Sequence, residues 1–234
     1  MKKKKIKTVK QELQFPKQLN REDLFPCPIW YGDEPGFVNE LNNVSDKYIE
    51  ASKKNLKESI DKRNKKFGNK GDMGHVFHST SLIGDPKFKK LQDYVGATAH
   101  NLLIEMGFDM TNYQLFITEM WVQEFAKKGG GHHSAHIHWN QHVSGFYFLK
   151  CSNKTSYPIF HEPRTGARAT KLSMKGGDKI LTGTELIHFK PKPGTLIIFP
   201  GYLEHEFAVD HGKSPFRFIH WNIQAIPKGM AKDA

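Results

Sequence analysis

Between Glu34 and about Lys65 the apolar residues Phe37, Leu41, Val44, Tyr48, Ala51, Leu56 and Ile60 recur mainly at intervals of three and four. Such intervals keep side chains on one face of an α-helix. The segment therefore reads as a helix with an apolar stripe and a lysine-rich opposite face. Gly68 to Gly74 forms a glycine-rich break that ends it. A second helix is predicted from about Pro86 to Met106, with Leu91, Val95, Leu102 and Met106 on its stripe. Asp85 is placed to cap its start and Gly107 to end it.

The pattern then changes character. Tyr113 to Phe125, Val143 to Lys150, Tyr157 to His161, Thr195 to Phe199 and Phe216 to Ile223 are rich in aromatic and β-branched residues. Glycine, proline and polar turns separate them, which is the texture of a sandwich or barrel. Weaker strands are expected between Arg168 and Phe189, around Lys175 to Asp178, and Leu24 to Trp30 reads as a short extended run broken by proline. The helices precede the strands and do not alternate with them, so a parallel βαβ sheet is not expected. The predicted class is mainly β with α: a jelly-roll (double-stranded β-helix) core with N-terminal helices packed on one sheet. Residues 1–20 read as a flexible basic tail and 21–230 as a single domain, helical over about 34–107 with a jelly-roll core over about 111–226.

Composition narrows this only in places. At 234 residues the chain can bury a substantial core without staples. No stretch approaches the roughly 18 apolar residues that span a bilayer, and the basic start Met1 to Lys10 has no apolar run behind it, so a cytoplasmic location is expected. Cys27 and Cys151 make no disulfide framework and no CxxC pair. The net charge of +11 is concentrated in Lys2 to Lys5 and in the stretch Lys53, Lys54, Lys57, Lys62, Arg63, Lys65 and Lys66. That balance suits an acidic partner, nucleic acid included, but no nucleic-acid-binding motif accompanies it, and a solvated lysine-rich surface is the plainer account. Oligomeric state is not written in the sequence.

The chemistry is concentrated in histidines. Five lie between positions 132 and 142, in Gly-Gly-Gly-His132-His133-Ser-Ala-His136-Ile-His138-Trp-Asn-Gln-His142. In an extended segment residues two apart point to the same side, so His136 and His138 can present ring nitrogens to one ion. His132 and His133 sit in a glycine-rich loop able to swing away or close over the site. Of the later histidines, His161, His188, His205, His211 and His220, the third ligand is best sought at His205. There an apolar strand runs through Phe199-Pro200-Gly201 and delivers the histidine. Two ligands from one strand and a third about 70 residues on is the facial-triad arrangement of non-haem iron oxygenases. Arg217, twelve residues further, stands within an apolar strand, which is costly unless it meets an anion. The anion is either a dicarboxylate reaching in from the metal, held bidentately, or an internal glutamate such as Glu119 or Glu124.

Taken together these segments resemble a known family. His136-Ile-His138-Trp-Asn140 through Ser144-Gly145-Phe-Tyr147-Phe-Leu is similar to the His-x-His-Pro-Asn…Ser-Gly-x-Tyr-Tyr-Leu pattern of a 2-oxoglutarate/iron(II) oxygenase family. Phe160-His161-Glu162-Pro163-Arg164, the run Pro193-Gly194 through Phe199-Pro200 to His205, and Arg217 to Asn222 resemble further elements of it. So do Leu24-Phe25-Pro26, His78-Ser79 and Trp121-Val-Gln123. The likeness spans about residues 24 to 226. It implies a double-stranded β-helix with iron(II) on His136, His138 and His205 and Arg217 anchoring the 2-oxoglutarate carboxylate. Oxidative decarboxylation of that co-substrate to succinate and CO2 would drive hydroxylation by O2 of a small-molecule or peptide substrate, with ascorbate as a candidate stimulant. Tyr147, Gln123 and Asn222 are candidates to hydrogen-bond the co-substrate, packing roles being the alternative.

Three departures stand out. His138 replaces the Asp or Glu of better-known relatives, leaving a neutral ligand set around a doubly charged ion, unless Glu162 completes the triad instead. Trp139 replaces proline, and Ile219 replaces a serine two past the arginine. His142, His161, His188 and His220 read as structural or supporting residues. Two other functions share these residues: a three-histidine iron dioxygenase that does not use 2-oxoglutarate, and a non-catalytic metal-binding jelly roll.

Overall fold

The computed structural model describes residue 20 and residues 22–169, 172 and 179–230. In chain order the elements are β1 (Trp30–Asp33), α1 (Val38–Phe67), β2 (Val76–His78), α2 (Lys89–Glu105), β3 (Tyr113–Phe125), β4 (His133–His136), β5 (Val143–Lys150), β6 (Pro158–His161), α3 (Thr165–Ala169), β7 (Leu186–His188), β8 (Thr195–Pro200), β9 (His205–Phe207) and β10 (Arg217–Pro227). The expected strands around Lys175 to Asp178, and nearly all of the expected tail, lie outside the described residues.

The strands form two antiparallel sheets, one of six strands in the order β1-β8-β5-β10-β3-β2 and one of four in the order β4-β9-β6-β7. Their faces meet over an aromatic core of Phe125, Phe146, Phe148, Phe160, Phe199, Phe207, Phe216 and Phe218. This is the expected jelly roll. Each such side chain, fully buried, contributes roughly 1.5–3 kcal/mol. The other face of the large sheet carries Val143, Tyr147, Leu149, Ile219, Trp221 and Ile223, and packs against Leu41 and Ile49 of α1 and Leu91, Val95 and Ala99 of α2.

The helices follow the apolar pattern with small corrections. Pro35 to Phe37 forms a 3-10 turn before α1 begins at Val38. Ser45, Ile49 and Ser52 are buried where the stripe pointed to Val44, Tyr48 and Ala51, because the buried face runs one residue further round. Asp85 accepts from the Lys87 backbone N–H at 2.9 Å, capping the turn that leads into α2. Among the described residues no helix is long and apolar enough to cross a membrane.

Strand alternation sorts the large sheet's residues between its faces. On β5, Ser144, Phe146 and Phe148 face the small sheet while Tyr147 faces the helices. On β10, Phe218, His220 and Asn222 face inward while Ile219 and Trp221 face the helices. Gly145 lies opposite Trp221, and a Cβ there would meet the indole at 2.4 Å, so the glycine makes room for the ring.

Candidate metal site and cavity

Three of the predicted residues converge. One ring nitrogen from each of His136, His138 and His205 lies within 4.8 Å of the other two. His136 ends β4 and pairs in register with His205, which begins β9. His138 lies just past the strand, where its backbone N–H donates to the Gly201 carbonyl at 2.9 Å and keeps it beside the pair. Ring centroids are 4.5 Å apart for His136 and His205, 5.0 Å for His138 and His205, and 5.1 Å for His136 and His138.

The hydrogen bonds select the nitrogen that faces inward. His136 Nδ1 donates to the Ser134 carbonyl at 2.7 Å and His205 Nδ1 to the Leu203 carbonyl at 2.9 Å. A neutral imidazole whose Nδ1 carries the proton presents an Nε2 lone pair. Nε2 of His205 and of His138 are buried without a hydrogen-bond partner among the described residues. Burial pushes the His205 imidazole down to about 3 and His138 to about 4, so both are neutral at physiological pH. Neutral, orphaned and convergent nitrogens fit a divalent cation of intermediate softness such as iron(II). Glu162 is not part of the group; its carboxylate is ion-paired with Arg164 at 2.8 Å.

A cavity of about 110 Å3 opens beside these nitrogens, lined by His133, His220, Trp121, Phe146, Phe207 and Phe218 as well as the three histidines. His133 belongs to the site: its ring contacts the Gln123 side-chain amide, and burial lowers it to about 4. His220 is 1% exposed and stacks on His138 with centroids 4.7 Å apart. Neither of its nitrogens makes a well-formed hydrogen bond, although the Gly145 carbonyl is near enough to favour its proton against the dominant effect of burial. Asn222 sits behind His138, with Nδ2 3.2 Å from its Nδ1. Gln123 and Asn222 are thus brought to the site.

Arg217 and Tyr147 are not. Arg217 donates from Nε and Nη2 to Glu124 at 2.8 and 2.6 Å and from Nη1 to Ser45 at 3.0 Å, all on the helix side of the large sheet. It pairs in register with Glu124, and both point away from the inner face that carries Phe218 and Gln123. The Tyr147 hydroxyl donates to the Glu34 carbonyl on the same outer side. The expected contacts from these two residues to a co-substrate in the barrel are corrected by strand geometry: the sheet lies between them and the cavity. Of the two partners the sequence offered Arg217, the internal glutamate is the one observed. No arginine or lysine is among the described residues lining the cavity.

Residues 119–218 match the family model described as "Putative 2OG-Fe(II) oxygenase". No curated protein matches the chain. Among solved structures, AviO1 from Streptomyces viridochromogenes Tue57 superposes with a TM-score of 0.53 at 10% identity, over 85% of this chain and 90% of that one. The non-heme alpha ketoglutarate dependent epimerase SnoN from nogalamycin biosynthesis gives a TM-score of 0.50 at 10% identity, over 87% of this chain and 82% of that one. At such identities these two similarities speak for the fold. Iron(II) and 2-oxoglutarate are the cofactors from which that family takes its name, and residues 119–218, which carry all three histidines, are the part of this chain that is similar to it.

Proposed function

We propose that this chain is a hydroxylase in which His136, His138 and His205 hold iron(II) and 2-oxoglutarate serves as the reductant. The observation that carries the reading is the convergence of three imidazole nitrogens within 4.8 Å, two of them on rings that burial keeps neutral. Bound iron(II) and the 2-oxo acid would supply the redox chemistry, one oxygen atom of O2 going to succinate as CO2 leaves and the other into a C–H bond of the substrate. The protein's share is geometric. Ser134 and Leu203 fix two ring orientations through their carbonyls, and the Gly201 carbonyl fixes the third through the His138 backbone. Phe146, Phe207 and Phe218 keep bulk water from the inner wall of the cavity. Gln123, His133 and His220 are the neutral polar groups left to meet a co-substrate. Trp139, 81% exposed and next to His138 in the sequence, is an aromatic group free to meet a small-molecule or peptide substrate.

The test is direct. Purified protein with iron(II), ascorbate and 2-oxoglutarate is expected to form succinate, and His136→Ala and His205→Ala to lose both iron and turnover. Retained iron in both variants would sink the ligand assignment.

A second reading is favoured by one observation, the placement of Arg217 on the far face of the sheet. A three-histidine dioxygenase whose O2 attacks bound substrate needs no cation for a second carboxylate. In that case iron loads normally on all three histidines and no succinate forms.

A further inference from the structure

A histidine that ligates through Nε2 carries its proton on Nδ1, and that N–H needs an acceptor to hold the ring. His136 and His205 have theirs in the carbonyls of Ser134 and Leu203. Among the described residues no carbonyl plays this part for His138. Its Nδ1 lies 3.2 Å from Asn222 Nδ2, so a ligating His138 would set one donor against another.

The amide cannot simply be turned over. Asn222 Oδ1 accepts from Ser144 Oγ at 2.6 Å, and Nδ2 donates to Glu119 Oε2 at 2.8 Å. Turning it would place the amide oxygen against the Glu119 carboxylate. The network therefore fixes Asn222, 1% exposed, as a donor toward both Glu119 and His138. Glu119 itself is held close: one of its oxygens, a His138 nitrogen and a His220 nitrogen lie within 4.8 Å of one another. Glu119 pairs in register with Asn222 across β3 and β10, which puts its side chain at the edge of the inner face beside His138.

We propose that Glu119 is the carboxylate that accepts a hydrogen bond from the Nδ1–H of His138 when His138 binds iron. The inference rests on the reading of His138 as a ligand. Its consequence is electronic as well as geometric. Three neutral imidazoles leave the full charge of the ion uncompensated, and a carboxylate hydrogen-bonded to one of them makes that ring more basic and returns part of a negative charge to the site. Glu119 thus stands one bond further out in place of a carboxylate ligand. It is a positioning residue, since it reaches the metal only through His138.

The experiment uses the full chain, loaded anaerobically with iron(II), and measures iron affinity and the Fe(III)/Fe(II) reduction potential. Glu119→Gln keeps the shape and removes the charge. It is expected to weaken iron(II) binding by about 10- to 100-fold and to raise the potential, with thermal stability unchanged; Glu119→Asp should recover most of both. Unchanged affinity and potential in Glu119→Gln, alongside loss of iron in His136→Ala, would overturn the role of Glu119 and leave the three-histidine site standing. Retention of iron in both variants would overturn the underlying ligand assignment as well. A second bound ion per chain, lost in Glu119→Gln without effect on the first, would also overturn the proposal, by making Glu119 and His220 a separate cation site.

Discussion

Arg217 and Glu124 form a buried ion pair in which two guanidinium nitrogens share one carboxylate oxygen at 2.8 and 2.6 Å, with side chains 3% and 6% exposed. The pair joins neighbouring positions of β10 and β3 and ties both to α1 through Ser45 and Asp46. Lys53 of α1 adds a second cation to Glu124 at 2.8 Å. The arginine expected to meet a co-substrate instead clamps the helical layer onto the back of the sheet that carries the site.

Removing one member should therefore cost fold stability and leave chemistry alone. Arg217→Ala leaves a buried carboxylate with a single partner, and breaking a buried pair typically costs about 3–5 kcal/mol. The expected outcome is a matching loss in urea-unfolding stability, with iron(II) affinity of the folded protein unchanged. Replacing Arg217 and Glu124 together by Met and Leu should recover much of the loss. A variant of wild-type stability whose only defect is in 2-oxoglutarate binding would contradict the placement of Arg217 behind the sheet.

The same pair predicts an acid limb. Burial pushes the Glu124 carboxyl up, but the hydrogen bond from Lys53 and the charges of Arg217 and Lys53 outweigh it and hold it below its ordinary value of 4.5. A folded-state value below the unfolded one contributes stability in full above the unfolded value, and the contribution is lost as pH falls through the folded value. The stability gap between wild type and Glu124→Gln should be constant near neutrality and shrink below about pH 4.5. Urea midpoints between pH 7 and 3 measure it, and a gap that does not change with pH counts against this account.

Sequence periodicity locates the long elements well. The predicted runs Tyr113 to Phe125 and Val143 to Lys150 are the strands observed, because eight or more residues of one texture leave a clear signal. Strands β2, β4 and β9 are only three or four residues long, too short to show a period, so their bounds are not legible in the sequence: the strand expected to carry both His136 and His138 ends at His136. The spacing of His136 and His138 and the context of His205 pick out three residues whose ring nitrogens lie within 4.8 Å of one another. Arg217 misleads for a physical reason. From Arg217 to Trp221 both faces of β10 are buried, so no polar alternation marks which side points inward, and its pairing with β5 shifts register between Arg217 and Phe218. His133 and Glu119 take their places from cross-strand register and loop closure, which a single sequence does not display.

Cys151 offers a check on packing under the aromatic core. Burial pushes its thiol up to about 12, and Cys27 is raised less far, also chiefly by burial. Only thiolate reacts with iodoacetamide, so at pH 8 native protein should label slowly at Cys27 and more slowly still at Cys151. Both should label quickly in denaturant. Fast native labelling of Cys151, read by peptide mass spectrometry, would show that its surroundings are looser than described.

Gly201 tests how the third histidine is held. Its carbonyl accepts the His138 N–H at 2.9 Å and its own N–H donates to the His142 carbonyl at 3.2 Å, so the two backbones run in contact beside the site. A Cβ at Gly201 would lie 2.4 Å from the Gln141 carbonyl oxygen, and neither backbone can yield without moving His138. Gly201→Ala should therefore lower iron(II) affinity well beyond its effect on stability. Gly96 is the control: it lies inside α2, where a Cβ would have nothing within 4 Å, so Gly96→Ala should add about 0.5–1 kcal/mol and leave iron binding alone. If both alanine variants bind iron as the wild type does, the contact between Gly201 and the His138 segment is not what sets the ligand.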